Sequence, residues 1–200
     1  MMTSMPPATI HAGAKPSSKS ALPRPNRPLV IIGLMGAGKT SIGRQLAKML
    51  KMPFVDSDIA LVSQAGISIE EIFSRYGEET FRQFERKVIG QLLEDQRPKV
   101  VAVGGGAFVQ PETRALIQEK GISIWLRATM PQLMERIQAN ANRPLLKQGD
   151  PAEILAKLMA VRYPIYAEAA ITVDSLDGAM YLTVQAIANA LSQYLAESPS

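Results

Sequence analysis

The chain has no cysteine and a single histidine, His11. The first absence excludes disulfides and thiolate metal sites, and it fits a reducing compartment. The second excludes a His-dependent triad and a zinc cluster. Proton transfer therefore falls to a carboxylate, a lysine, a tyrosine or water. No apolar run is long enough to span a membrane, and the first residues hold no apolar stretch of the secretory kind. The formal net charge is only +4, and it is unevenly placed. Residues 1–28 carry Lys15, Lys19, Arg24 and Arg27 with no acid, so the remainder has as many basic as acidic groups. The basic character belongs to this tail, which argues against a nucleic-acid surface on the folded part.

The tail is rich in Pro, Ser and Ala and ends in Pro23-Arg24-Pro25-Asn26-Arg27-Pro28. That composition predicts a disordered basic extension over residues 1–28. Its serines and lack of acids suit an organelle transit peptide, but it has few arginines and no amphipathic stretch. The expectation is a dispensable extension on a cytoplasmic, monomeric protein whose single folded domain spans residues 29–200.

What the chain does contain is Gly33-Leu34-Met35-Gly36-Ala37-Gly38-Lys39-Thr40, which fits the phosphate-binding pattern G-x-x-x-x-G-K-[ST]. The context agrees. Leu29 to Ile32 reads as a buried strand, and Ser41 to Leu50 as an amphipathic helix with Ile42, Leu46 and Met49/Leu50 on one face. Glycines let backbone N–H groups converge on phosphate oxygens, and the helix N-terminus faces the same anion. Gly36, Ala37, Gly38, Lys39, Thr40 and Ser41 are thus the candidate nucleotide-phosphate-binding residues. Lys39 would reach the β- and γ-phosphates, and Thr40 would ligate Mg²⁺.

Further along, Phe54-Val55 reads as a short strand ending at Asp56-Ser57-Asp58. Ser68 to Glu71 is a capping box opening a helix that stops at Gly77. A longer helix follows from about Glu78 to Glu94, with Phe81, Phe84, Val88 and Leu92 buried. Val100 to Val103 is a buried strand running straight into Gly104-Gly105-Gly106. Pro111 opens a helix closing before Gly121. Ile122 to Leu126 is a strand, Pro131 to Gln138 a helix, and Ala139 to Gly149 a polar loop of the kind that moves. Asp150-Pro151 opens another helix, Ile171 to Val173 is a last strand, and Gly178 to Leu195 a last helix. Alternating strands and helices predict a three-layer α/β/α fold with a parallel sheet. Ligands then bind beyond the carboxyl ends of the strands, where the phosphate loop, Asp56/Asp58 and the three glycines all fall.

Two residues apart on extended chain, Asp56 and Asp58 are expected on opposite sides. One could hold Mg²⁺ waters while the other accepts a hydroxyl proton; a polar turn with a helix cap is the plainer alternative. The Val100–Val103 strand does not end in the Asp that commonly supports the metal in phosphate-loop enzymes, so Asp56 is the natural substitute. Gly104, Gly105 and Gly106 suggest close approach of backbone to a ligand. Arg82, Arg136, Arg143 and Arg162 are candidates whose convergence spacing alone does not show. The residues by themselves point to a Mg²⁺–nucleotide-binding phosphotransferase and leave its acceptor open. A non-catalytic nucleotide-binding module is disfavoured by the intact Lys39, Thr40, Asp56 and Asp58. A GTPase is disfavoured because no N-K-x-D motif is present.

Taken together, Gly33–Thr40, Asp56-Ser-Asp58, Gly77-Glu-x-x-Phe81-Arg82-x-x-Glu85, Gly104–Gly106, Arg143-Pro-Leu-Leu146 and Arg162-x-Pro-x-Tyr166 resemble the shikimate kinase family over about residues 28–195. The resemblance implies a nucleoside-monophosphate-kinase-like P-loop fold: a five-stranded parallel sheet of order 2-3-1-4-5 with a lid and a substrate-binding region. It implies transfer of phosphate from Mg²⁺-ATP to the 3-hydroxyl of shikimate, in the route to aromatic amino acids. It also assigns roles. Asp58 would hold the shikimate hydroxyls and act as base, and Arg82 and Arg162 would hold the carboxylate. Gly104–Gly106 would meet substrate and γ-phosphate, and Asp56 would steady the Mg²⁺ waters. Arg143 would close on the phosphates from the lid, and Arg136 would lie on the adenine or phosphate side. A related small-molecule kinase, such as a gluconate kinase, is the alternative enzyme.

Overall fold

A computed structural model describes residues 24–139, 150–176, 178 and 180–197. Its centre is a five-stranded parallel sheet: β1 (Leu29–Ile32), β2 (Phe54–Asp56), β3 (Val100–Ala102), β4 (Ile122–Arg127) and β5 (Ile171–Asp174). The strand order is β2-β3-β1-β4-β5, as the family resemblance implied. In register, Leu29 faces Val100 on one side and Ile122 on the other. Every residue of β1 and β3 is buried. That is why these strands are continuous apolar runs rather than alternating ones: helices cover both faces.

The helices are α1 (Lys39–Leu50), α2 (Ser57–Ala65), α3 (Ile69–Glu94), α4 (Pro111–Lys120), α5 (Met130–Gln138), α6 (Pro151–Tyr166) and α7 (Met180–Glu197). Ile31 meets α1 at Gly43, while its neighbour Val30 meets the end of α4 at Gly121. Adjacent strand residues point to opposite faces, so α1 and α4 cover opposite sides of the sheet. Gly43 permits this close seat: a Cβ there would lie 2.6 Å from the Phe54 ring.

Most expected boundaries hold within a residue or two. Within α3, Gly77 (φ 79°, ψ 175°) breaks the helical path, which is the stop read from the sequence. Ser68 and Glu71 form the expected capping box. The helix cap that was the plainer reading of Asp56 is present: Asp56 caps α2, a helix whose extent had not been read and which Gly66 closes in a left-handed conformation. The second segment of core, Leu61, Ile72, Phe81 and Val88, joins α2 to α3 apart from the main cluster around the sheet. The tail also ends sooner than expected. Pro25 and Pro28 are buried, Arg27 Nη1 donates to Glu119 O at 3.2 Å, and Ile122 N donates to Pro28 O at 2.8 Å. Residues 24–28 therefore pack with the domain, and the rest of the extension lies outside the described residues. No helix among the described residues is long and apolar enough to cross a membrane.

Candidate active site

All five strands run the same way, so their carboxyl ends share one edge. The loop after β1 bends back through Gly36 (φ 84°) and Gly38 (φ 90°), conformations that a Cβ disfavours. Gly38 is the N-cap of α1, has no side chain to cap it, and no acid follows in the first turn. An anion there would meet the amino end of α1, whose dipole favours negative charge. Lys39 Nζ folds over the loop and donates to Gly33 O at 3.0 Å and Leu34 O at 3.1 Å. In front lies a cavity of about 500 Å³ lined by Lys39, Thr40, Ser41, Asp56, Asp58, Gly104 and Gly105, among others.

Asp56 ties two helix starts together. Its Oδ2 accepts from Thr40 Oγ1 at 2.8 Å, and its Oδ1 accepts from the Asp58 amide at 3.1 Å. The expectation that Asp56 and Asp58 face opposite ways is corrected here. Asp58 sits in the first turn of α2, not on extended chain, and both carboxylates line the same cavity. Burial, then the nearby Asp56, raises the Asp58 pKa above its ordinary 3.8, with Lys39 and Arg82 pulling it back in part. Such a carboxylate binds a proton more readily than an ordinary Asp.

The three glycines after β3 lie among the charged side chains, and each has its own close neighbour. A Cβ on Gly104 would lie 2.7 Å from Glu85 Oε1 and 3.0 Å from Asp58 Oδ1. One on Gly105 would lie 3.4 Å from both Arg162 Nη1 and Gly33 O, and one on Gly106 would lie 2.5 Å from Arg82 Nη1 and Nη2. The close backbone approach read from the sequence is therefore an approach to the phosphate loop, two carboxylates and two guanidinium groups. Arg82 donates to Glu85 Oε2 at 2.8 Å and Glu78 Oε1 at 3.1 Å. Its guanidinium carbon stands 5.0 Å from the centre of the Phe81 ring. Arg162 Nη1 donates to Gly105 O at 3.2 Å. Arg82 and Arg162 together border a further cavity of about 400 Å³ beside Gly106.

On the other side of the phosphate loop is a third cavity of about 340 Å³, between Gly36, Gly38, Ser41, Arg136, Ser175 and Thr183. Arg136 Nη1 donates to Ser175 Oγ at 3.0 Å and Ala37 O at 3.3 Å. Arg143 lies outside the described residues.

Glu85 received no role from sequence, yet it is 2% exposed and is the main partner of Arg82. Among the described residues its Oε1 is buried with no hydrogen-bond partner, as is Arg82 Nε. Burial drives the Glu85 pKa upward, against the hydrogen bond and charge of Arg82. Its signal was in the periodicity. Phe81, Glu85 and Val88 follow the i, i+4, i+7 rhythm of one helix face, which places a carboxylate on a core stripe three residues from an arginine.

The shikimate kinase family model matches residues 35–194. The chain is 51% identical over 172 residues to the shikimate kinase of Paramagnetospirillum magneticum, covering 86% of this chain and 88% of that protein. It is 49% identical over 165 residues to that of Caulobacter vibrioides, covering 82% of each. Among solved structures it resembles the shikimate kinase from Acinetobacter baumannii in complex with shikimate, with a TM-score of 0.77 and 34% identity over 90% of this chain and 97% of that one. A gluconokinase from Sinorhizobium meliloti shares the fold at a TM-score of 0.60 but is only 18% identical. With a matching family model over most of its length and relatives near half identity, the chain belongs to the shikimate kinase family.

Proposed function

We propose that this protein transfers the γ-phosphoryl group of ATP to the 3-hydroxyl of shikimate, giving shikimate 3-phosphate and ADP for aromatic amino acid synthesis. The observation that carries the acceptor assignment is the meeting of Asp58, Arg82 and Arg162 around Gly104–Gly106 at the lip of the phosphate loop. A carboxylated polyol needs that combination: a base for its hydroxyl and cations for its acid.

Each group has work suited to its chemistry. The loop amides and Lys39 bind the phosphates, with Ser41 and Arg136 toward the nucleotide's far side; the family resemblance adds Arg143 to the phosphate-binding set. Asp58 orients the hydroxyl and takes its proton as the new O–P bond forms and the bond to ADP breaks. Its raised pKa favours that proton transfer. Arg82 and Arg162 present planar forks to the substrate carboxylate, which lysine would not. They also offset the repulsion between an anionic acceptor and an anionic donor.

Thr40 would ligate Mg²⁺ and Asp56 beside it would hold the ion's waters, hard oxygens of the kind Mg²⁺ takes. Among the described residues no cluster of three or more His, Cys, Asp or Glu could hold a metal. Mg²⁺ at phosphates uses one or two protein oxygens and keeps its waters, so no such cluster is needed. When bound, Mg²⁺ would neutralise phosphate charge.

An acceptor panel tests the reading. Purified protein with Mg²⁺ and ATP phosphorylates shikimate and leaves gluconate untouched. Turnover on gluconate with none on shikimate overturns it.

A further inference from the structure

Tyr166 lies one helical turn beyond Arg162 on α6 and is fully buried. Its hydroxyl donates to Gly105 O, the same oxygen that accepts from Arg162 Nη1. The ring is fixed against Trp125, with centroids 5.9 Å apart. Gly105 also touches the phosphate loop: a Cβ there would stand 3.4 Å from Gly33 O and 3.7 Å from Met35 N. The middle glycine is therefore held between the phosphate loop and α6.

Arg162 thus has two claims on it. In this structure it serves Gly105 O; in the proposed reaction it serves a carboxylate. A carbonyl oxygen has two lone pairs and here uses both. A charged pair with a carboxylate is the stronger bond, so a bidentate fork that takes Nη1 as one of its two donors draws Arg162 away from the carbonyl. The carbonyl then keeps a partner only if a second donor stays behind.

We propose that Tyr166 is a positioning residue: it holds the Gly105 carbonyl on its own, so that Arg162 can transfer to the acceptor's carboxylate without leaving that carbonyl unpaired. The inference rests on the proposed function, since it needs a carboxylated acceptor. Burial pushes the phenol up to about 12, against the charge and a direct hydrogen bond of Arg162, so it stays a donor across the working pH range and also touches the arginine it is to release. Arg162 is the exchangeable partner and Tyr166 the permanent one.

Tyr166→Phe in the full chain tests this, because it keeps the ring against Trp125 and removes only the hydroxyl. Arg162 must then remain with Gly105 O or abandon it unpaired. The KM for shikimate rises about tenfold, the scale of one unmade hydrogen bond, while the KM for ATP and kcat change little. Combined with Arg162→Lys, the tyrosine change adds almost nothing, since both act through one contact. Thermal melting and the fluorescence of Trp125, the one tryptophan, report whether the fold survives. An unchanged shikimate KM, an equal rise in both KM values, or fully multiplicative losses in the double variant overturns the inference. Wild-type protein that leaves shikimate unphosphorylated overturns the proposed function and this inference with it. Wild-type turnover beside an unaltered Tyr166→Phe overturns this inference alone.

Discussion

Glu85→Gln separates a buried carboxylate that merely fills space from one that aims Arg82. The substitution keeps the shape and removes the charge. Glu85 Oε2 accepts from Arg82 Nη1 at 2.8 Å, and a hydrogen bond to a charged group contributes about 1.5–3 kcal/mol against about 0.5–1.5 for a neutral one. Glutamine's amide oxygen still accepts from the charged guanidinium but brings no opposite charge, so the hold on Arg82 falls from an ion pair to a singly charge-assisted bond, a weakening of roughly 1–1.5 kcal/mol. Glu78 does not make up the difference, because its side chain is 67% exposed and exposed pairs contribute little. A loosened guanidinium meets the carboxylate less well, and the KM for shikimate rises about five- to twelvefold. The KM for ATP stays put, since Arg82 lies across the site from the third cavity. Stability barely moves, because a neutral amide is easier to bury than a carboxylate whose pKa burial already raises. Steady-state kinetics in both substrates and a melting curve read these quantities. An unchanged shikimate KM, or an equal loss for ATP, refutes the role given to Glu85.

Other substitutions follow from the same geometry. Asp58→Asn abolishes turnover yet raises Tm at neutral pH by about 2–4 °C. A carboxyl with a raised folded pKa binds its proton more tightly when folded, so its stability contribution is greatest below the ordinary value of 3.8 and is lost as pH rises through the folded value. Ionised Asp58 therefore costs stability at pH 7, and the Tm advantage of Asn shrinks in acid; a lower Tm at neutral pH would contradict this. Gly106→Ala places a methyl 2.5 Å from the Arg82 nitrogens, so it raises the shikimate KM at least about tenfold with ATP binding retained; wild-type kinetics in both substrates would show the contact to be unimportant.

The parts of the site legible in the sequence were those whose chemistry is local. Gly33–Thr40 declares itself because a phosphate loop needs its glycines, lysine and hydroxyl in strict register, and β1 and α1 bracket it. The strands read well because burial on both faces makes them plain apolar runs. The helix break at Gly77 was legible because glycine alone enters that conformation freely. Contacts between distant segments were not legible. Arg82 and Glu85 are neighbours on α3, but Arg162 is far away in the chain, and only the packing of α3, α6 and the Gly104–Gly106 loop brings it to them. The error over Asp56 and Asp58 had a local cause. Extended geometry was carried two residues too far, although Asp56 and Gly66 had the makings of an N-cap and a C-terminal stop. Tyr166 stood in a recognised motif, but nothing in its spacing tells that its hydroxyl shares an acceptor with Arg162.

One cavity edge is proposed to bring a nucleotide's phosphates to a carboxylated polyol. Simultaneous measurement of ADP and shikimate 3-phosphate from purified protein, Mg²⁺, ATP and shikimate checks this coupling. Equal amounts of the two products are expected, with almost no ADP when shikimate is left out. ADP released at the same rate with and without shikimate would contradict it.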